Sequence, residues 1–124
     1  MYAIDHDLHL IGIVETWLND SIDNSEINID FYTVYRRDRA DVKQGRGGGV
    51  LLYIHNSLNS CSCIEPSKFK TESVWCKLLL GQNQEICIGV YYKSPSASDS
   101  EVSQLFSAIN SIANKQPLIM GDFN

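Results

Sequence analysis

Apolar and polar positions divide the chain into short blocks. HLIGIV (9–14) is a nearly continuous apolar run that stops on Glu15, with Thr16 and Trp17 behind it. A run without polar alternation predicts a strand covered on both faces. NDSIDNSEINID is polar and predicts a loop, and FYTVYRR (31–37), aromatic and β-branched, predicts a second strand. VLLYIH (50–55) follows the glycines Gly47–Gly49 as a third, buried strand. SVWCKLLL (73–80) and EICIGVYY (85–92) flank Gly81-Gln82-Asn83-Gln84 and predict a hairpin. Ser98 and Glu101 form a Ser-x-x-Glu capping box that opens a helix. Val102, Leu105, Phe106, Ile109, Ile112 and Ala113 then recur at three- and four-residue spacing, one apolar stripe on a helix ending near Lys115. Pro117 introduces a last strand through Leu118-Ile119-Met120.

This order predicts an α/β protein with a mostly antiparallel sheet. One amphipathic helix cannot cover both faces of a sheet of about six strands, so an opposing layer is expected from outside these residues. The runs at 9–14, 50–54 and 86–90 are then expected to lack cover and to present a large apolar face. Three apolar strands end on polar groups: Glu15, the pair Tyr91-Tyr92, and Asp122. Ends of buried strands hold side chains still, which suits a site. Asp122 and Asn124 are two apart, so in an extended chain they share a face while Phe123 takes the other.

At 124 residues, with 44% hydrophobic and 20% charged positions, the chain matches one globular domain. No stretch approaches the roughly 18 consecutive apolar residues of a membrane span. The first ten residues carry Asp5 and Asp7 and no basic residue, which excludes a secretory or mitochondrial leader and predicts an intracellular protein. Only Cys61 and Cys63 of the four cysteines are close together, too few for paired zinc clusters, so free thiols in a reducing compartment are expected. The net charge of −5 argues against a nucleic-acid partner, but its distribution changes that picture. Arg36, Arg37, Arg39, Lys43 and Arg46 face only Asp38 and Asp41 in a stretch beside the glycine run. Such a stretch is either a phosphate-facing loop or a solvated charged one.

Four strings occur in order: ETWLND with Glu15, GGGVLLYI with Gly47–Gly49, GVYYKSPSASDSE, and the terminal GDFN. Together they resemble the endonuclease/exonuclease/phosphatase superfamily, the DNase I-like fold. Within it, YTVYRRDR…GRGGGVLLYI is similar to the apurinic-type endonuclease domain of non-LTR (LINE-type) retrotransposons, and the resemblance extends over essentially the whole chain. It implies half of a four-layer α/β/β/α sandwich, with residues 1–124 a partial domain truncated at both ends. It also implies a DNA endonuclease dependent on Mg²⁺ (or Mn²⁺) that nicks target DNA for reverse transcription. A downstream reverse transcriptase domain and a nuclear location follow from the same resemblance.

Residue by residue, Glu15 matches the metal-binding glutamate, a hard oxygen ligand suited to Mg²⁺. Asp122 matches the aspartate that orients or activates the attacking water. Asn124 matches the asparagine on the scissile phosphate or the active-site network. Tyr92 falls where the family has a tyrosine near the phosphate, with Tyr91 as the alternative register. Arg36, Arg37, Arg39, Lys43, Arg46 and Lys93 are the candidate DNA contacts. Lys93-Ser94-Pro95 departs from the Arg-Pro-Pro that often follows the tyrosine in the retrotransposon type. Gly47–Gly49 are expected to serve backbone geometry at a strand start.

The family's base is a histidine in a Ser-Asp-His motif, and no such motif occurs in this chain. His6, His9 and His55 match no catalytic position of the family. Two alternatives therefore stay open: a retroelement remnant without catalytic role, and an inositol-phosphate or lipid phosphodiesterase of the same superfamily.

Overall fold

The apolar run at 50–54 is a strand covered on both faces by the chain itself. The run at 9–14, expected to be covered likewise, forms an edge strand with Gly12 and Ile13 exposed. The computed structural model describes residues 9–39, 47–63, 71–81, 83–95, 97–111 and 118–122. Among them are seven strands: β1 (Leu10–Val14), β2 (Tyr32–Arg37), β3 (Val50–His55), β4 (Ser60–Ser62), β5 (Ser73–Leu80), β6 (Gln84–Tyr92) and β7 (Leu118–Asp122). One helix, α1 (Asp99–Asn110), lies between β6 and β7, and a 3₁₀ turn covers Asn24–Glu26. The protein is mixed α/β, with two mostly antiparallel sheets ordered β1-β3-β2 and β4-β5-β6-β7.

In the first sheet β3 is central, with Val50 opposite both Val14 and Arg37. In the second, β5 and β6 form the expected hairpin, from Ser73 opposite Tyr91 to Leu80 opposite Gln84. Gln84 thus joins the strand, and Asn83 takes the left-handed φ of 61° that closes the tight turn. β7 runs parallel to β6, a pairing that needs a crossover, and α1 supplies it.

The two sheets pack face to face. Val50, Leu52 and Ile54 of β3 meet Val74, Cys76 and Leu78 of β5 and Ile88, Val90 and Tyr92 of β6, all buried. Alternate residues serve the outer faces. Leu51 and Tyr53 pack under Ile29 and Tyr32, with Leu18 and Ile27 from the polar-looking loop closing over them. Trp75, Cys87 and Tyr91 pack against Leu105 of α1. This corrects the expected missing layer: the strands split into two sheets that cover each other, so the runs at 50–54 and 86–90 are not left bare. Among the described residues the exposed large apolar side chains are Ile13, Trp17, Phe31, Leu79, Leu80, Phe106 and Leu118.

The Ser98 hydroxyl accepts from the Glu101 N–H at 3.2 Å, capping α1, and Asp99 and Glu101 favour its positive end. The apolar stripe is narrower than its spacing predicts. Leu105 and Ala108 are buried, whereas Phe106 is 61% exposed because it lies a third of a turn away from Leu105. Ile112, Ala113 and Lys115 lie outside the described residues.

Cys61 is exposed while Cys63, Cys76 and Cys87 are buried. Burial, and then the neighbouring Cys61 and Cys87, push the Cys76 thiol up to about 12, so it packs as a small hydrophobe. Among the described residues no helix is long and apolar enough to cross a membrane.

Candidate active site

β1 crosses directly over β6 and β7. A methyl on Gly12 would come within 2.9 Å of Val90 Cγ2 and 3.4 Å of Met120 Cε. The strand is therefore seated so that its last residue, Val14, packs in the same cluster as Tyr92 and Met120. Glu15 follows with a φ of 53°, which breaks the extended path. Its Oε1 accepts a hydrogen bond from the Tyr92 hydroxyl at 2.9 Å, joining residues from the two sheets.

Asp122 is placed by register. It pairs with Tyr92, and its carbonyl accepts the Lys93 N–H at 2.8 Å. Neighbours in parallel strands share a face, and Met120, two residues earlier, packs into the inter-sheet core with Tyr92. Asp122 thus projects from the side of the second sheet that faces Glu15. Gly121 permits the approach: its φ is +143°, and a Cβ there would land on the backbone of Tyr91. Of the two adjacent tyrosines, Tyr92 faces Glu15, while Tyr91 packs on the opposite face with Trp75 and Leu105. Burial, then the hydrogen bond to Glu15 and its charge, raise the Tyr92 phenol above its ordinary value, with Arg39 opposing. Tyr92 is therefore a protonated donor at neutral pH. Asn124 lies outside the described residues.

A residue without any signal in the sequence holds this end together. Glu72 is buried, and its carboxylate takes the Arg39 guanidinium at 2.9 Å and 3.2 Å and the Gly49 N–H at 3.3 Å. Its carbonyl accepts the Tyr92 N–H at 2.9 Å. Gly49 and Gly48 in turn accept the N–H groups of Thr16 and Trp17 at 3.3 Å and 2.9 Å. Glu15 and Tyr92 are thus linked twice, once through their side chains and once through Gly49 and Glu72. Gly48, with φ of 63°, passes so close that a Cβ would fall on the Glu72 carboxylate and the Arg39 guanidinium.

The candidate DNA contacts are placed differently from one another. Arg36 binds Asp38 through two hydrogen bonds of 2.9 Å and 2.8 Å, and its remaining donors reach the carbonyls of Ile22 and Asn19. It fastens the loop over the first sheet. Arg39 is held by Glu72. Arg37 and Lys93 are half-buried, and Lys43 and Arg46 lie outside the described residues. A separate cleft of about 770 Å³ opens between β2 and β5, lined by Arg36, Arg37, Asp38, Ser73 and Trp75. Its lining does not include Glu15, Tyr92 or Asp122. His55 pairs with Tyr32 at the other end of β3, and its Nδ1 is held by Ser57, far along the strand from Val50.

The donor set suits a hard cation. Glu15 offers one oxygen to Tyr92 and keeps the other, and the Asp122 carboxylate belongs to the same end; Mg²⁺ is commonly held by one or two carboxylates plus waters and phosphate. Among the described residues no group of three or more His, Cys, Asp or Glu forms a closed metal cage. No protein-family model matches the chain, and no curated protein matches it.

Proposed function

We propose that the chain carries the metal-binding and water-orienting part of a DNA endonuclease of the non-LTR retrotransposon type, and that its two sheets and α1 belong to a DNase I-like α/β/β/α sandwich. The observation that carries this reading is the hydrogen bond from Tyr92, on the second sheet, to Glu15, which follows β1 of the first, with Asp122 paired beside Tyr92 in β7. The four ordered strings of the sequence support it. On this reading the substrate is a DNA phosphodiester, the site works in the nucleus, and the whole protein carries a reverse transcriptase downstream.

Glu15 and Asp122 would hold Mg²⁺ (or Mn²⁺), which when bound neutralises charge developing on the phosphoryl oxygens. Tyr92 fixes the Glu15 carboxylate by donating to one oxygen, so the other keeps a defined direction. Asp122 orients the attacking water, Asn124 contacts the scissile phosphate, and the proton acceptor is the histidine of a Ser-Asp-His motif outside these residues. The basic positions, above all Lys43, Arg46 and Lys93, supply sequence-independent attraction to phosphates.

The test is supercoiled-plasmid nicking by a polypeptide in which these residues are followed by a Ser-Asp-His segment. Chelator-sensitive nicking is expected. Tyr92→Phe is expected to lower it by about 10–100-fold, the usual cost of losing a group that orients a metal ligand. Nicking indifferent to Tyr92→Phe and to Asp122→Ala would contradict the assignment.

A further inference from the structure

We infer that Trp17 is a stacking platform for an unstacked base of the DNA strand at this site, an inference that rests on the proposed DNA-cleaving function. Trp17 lies two residues after Glu15 and is 64% exposed, a large apolar ring left in water beside the candidate centre. Its backbone is held in place. The φ of 58° is left-handed, which an L-residue adopts only when its surroundings enforce it, and the N–H is bonded to the Gly48 carbonyl at 2.9 Å. With Glu15 at 53°, two of three consecutive residues carry this strain.

The indole also has a floor. A Cβ on Gly47 would lie 3.2 Å from Trp17 Cε2 and 3.3 Å from Cζ2, so the ring rests against the bare glycine. One side of the ring system is therefore supported by backbone and much of the remainder is open. A rigid aromatic surface of this kind costs little ordering entropy when a flat ligand settles on it.

The setting selects the ligand. In sequence Arg46 immediately precedes Gly47, with Lys43 three positions further back, while Arg36 and Arg39 of the same stretch are held by Asp38 and Glu72. An aromatic face beside positive charge is the pairing that proteins use to bind single-stranded nucleic acid, with charge on the backbone and the ring on a base. Phe31 is also exposed and has a positive φ, but it lies beside Tyr32 and His55, at the far end of the first sheet from Glu15. It has neither Glu15 nor the glycine turn next to it, whereas Trp17 is two residues from Glu15 and rests on Gly47 and Gly48.

Fluorescence anisotropy of labelled oligo(dT) and of a labelled duplex, measured on the 124-residue chain over a range of salt, tests this. Trp17→Ala is expected to weaken oligo(dT) binding by about 5- to 150-fold, the range for one lost base stack. The slope of log K against log salt is expected to stay unchanged, because no phosphate contact is removed. Trp17→Phe is expected to retain most of the affinity, and the duplex to lose less than the single strand. DNA binding by Trp17→Ala equal to that of the parent chain would overturn the stacking role and leave the endonuclease reading intact. A changed salt slope would also overturn it, since Trp17 would then act by positioning the basic residues. A parent chain that binds neither DNA would overturn both.

Discussion

Incubated with supercoiled plasmid and Mg²⁺ or Mn²⁺, the 124-residue chain is expected to show no chelator-sensitive nicking. The reason is chemical. In-line attack on a phosphodiester needs a positioned proton acceptor and donor, and such a group is typically worth about 10²–10⁴-fold in rate. The Ser-Asp-His motif that would supply it does not occur in these residues. His9 and His55 do not substitute for it: their rings contact each other with centroids 5.7 Å apart, beside Leu10 and Ile54, at the opposite end of β1 from Glu15. Both sheets that hold Glu15, Tyr92 and Asp122 are present, so the deficit is expected to arise from acid–base chemistry and not from a loose scaffold. Chelator-sensitive nicking by the chain alone, abolished by Asp122→Ala, would show that these carboxylates suffice.

Glu72→Ala is expected to destabilise the fold by about 3–5 kcal/mol, the range for removing one partner of a buried ion pair. The substitution leaves the Arg39 guanidinium, 14% exposed, without its carboxylate, and removes the acceptor of the Gly49 N–H. Urea denaturation followed by circular dichroism measures the effect. Replacing both partners with apolar residues of similar volume, Arg39→Met with Glu72→Leu, is expected to recover much of the loss, because it removes the stranded charge. If Glu72→Ala proves nearly neutral, the pair does not support this end of the sandwich. The comparison separates a structural pair from Arg39 as a DNA contact, since Arg39→Met with Glu72→Leu would then fold but bind DNA less tightly.

Most strands were legible because their cause is local. β3 reads as an apolar run since both its faces are covered, and α1 announces its start through the Ser98–Glu101 cap. β4 gave no signal: Ser60–Ser62 is short and polar, and it is a strand only because β5 offers it a free edge. The division into two sheets was not legible either. It depends on which strand lies beside which, and β1 pairs with β3 at a separation of 36 positions, from Val14 to Val50. The loop that closes the outer face of the first sheet looked wholly polar, yet Leu18, Ile27 and Ile29 turn inward from it.

The candidate site divides in the same way. Glu15, Tyr92 and Asp122 stand out as candidates because each ends or follows an apolar strand. Glu72 could not, because its partner Arg39 lies 33 residues away and nothing around Glu72 in the sequence distinguishes it from a solvated residue before a strand. Counting charges between Arg36 and Arg46 treated all five cations alike. The fold spends Arg36 on Asp38 and the loop carbonyls and Arg39 on Glu72, local pairings that a charge count does not contain.

In the proposed function Glu15 and Asp122, each placed through Tyr92, hold one divalent cation between the two sheets. Titration of ¹⁵N-labelled chain with substoichiometric Mn²⁺ tests it directly, because the paramagnetic ion broadens nearby amide signals. Thr16, Tyr92, Lys93 and Asp122 are expected to broaden first, with Mg²⁺ competing and Glu15→Gln removing the effect. Broadening centred on Asp20, Asp23 and Asp38 in the cleft between β2 and β5, unchanged by Glu15→Gln, would contradict it.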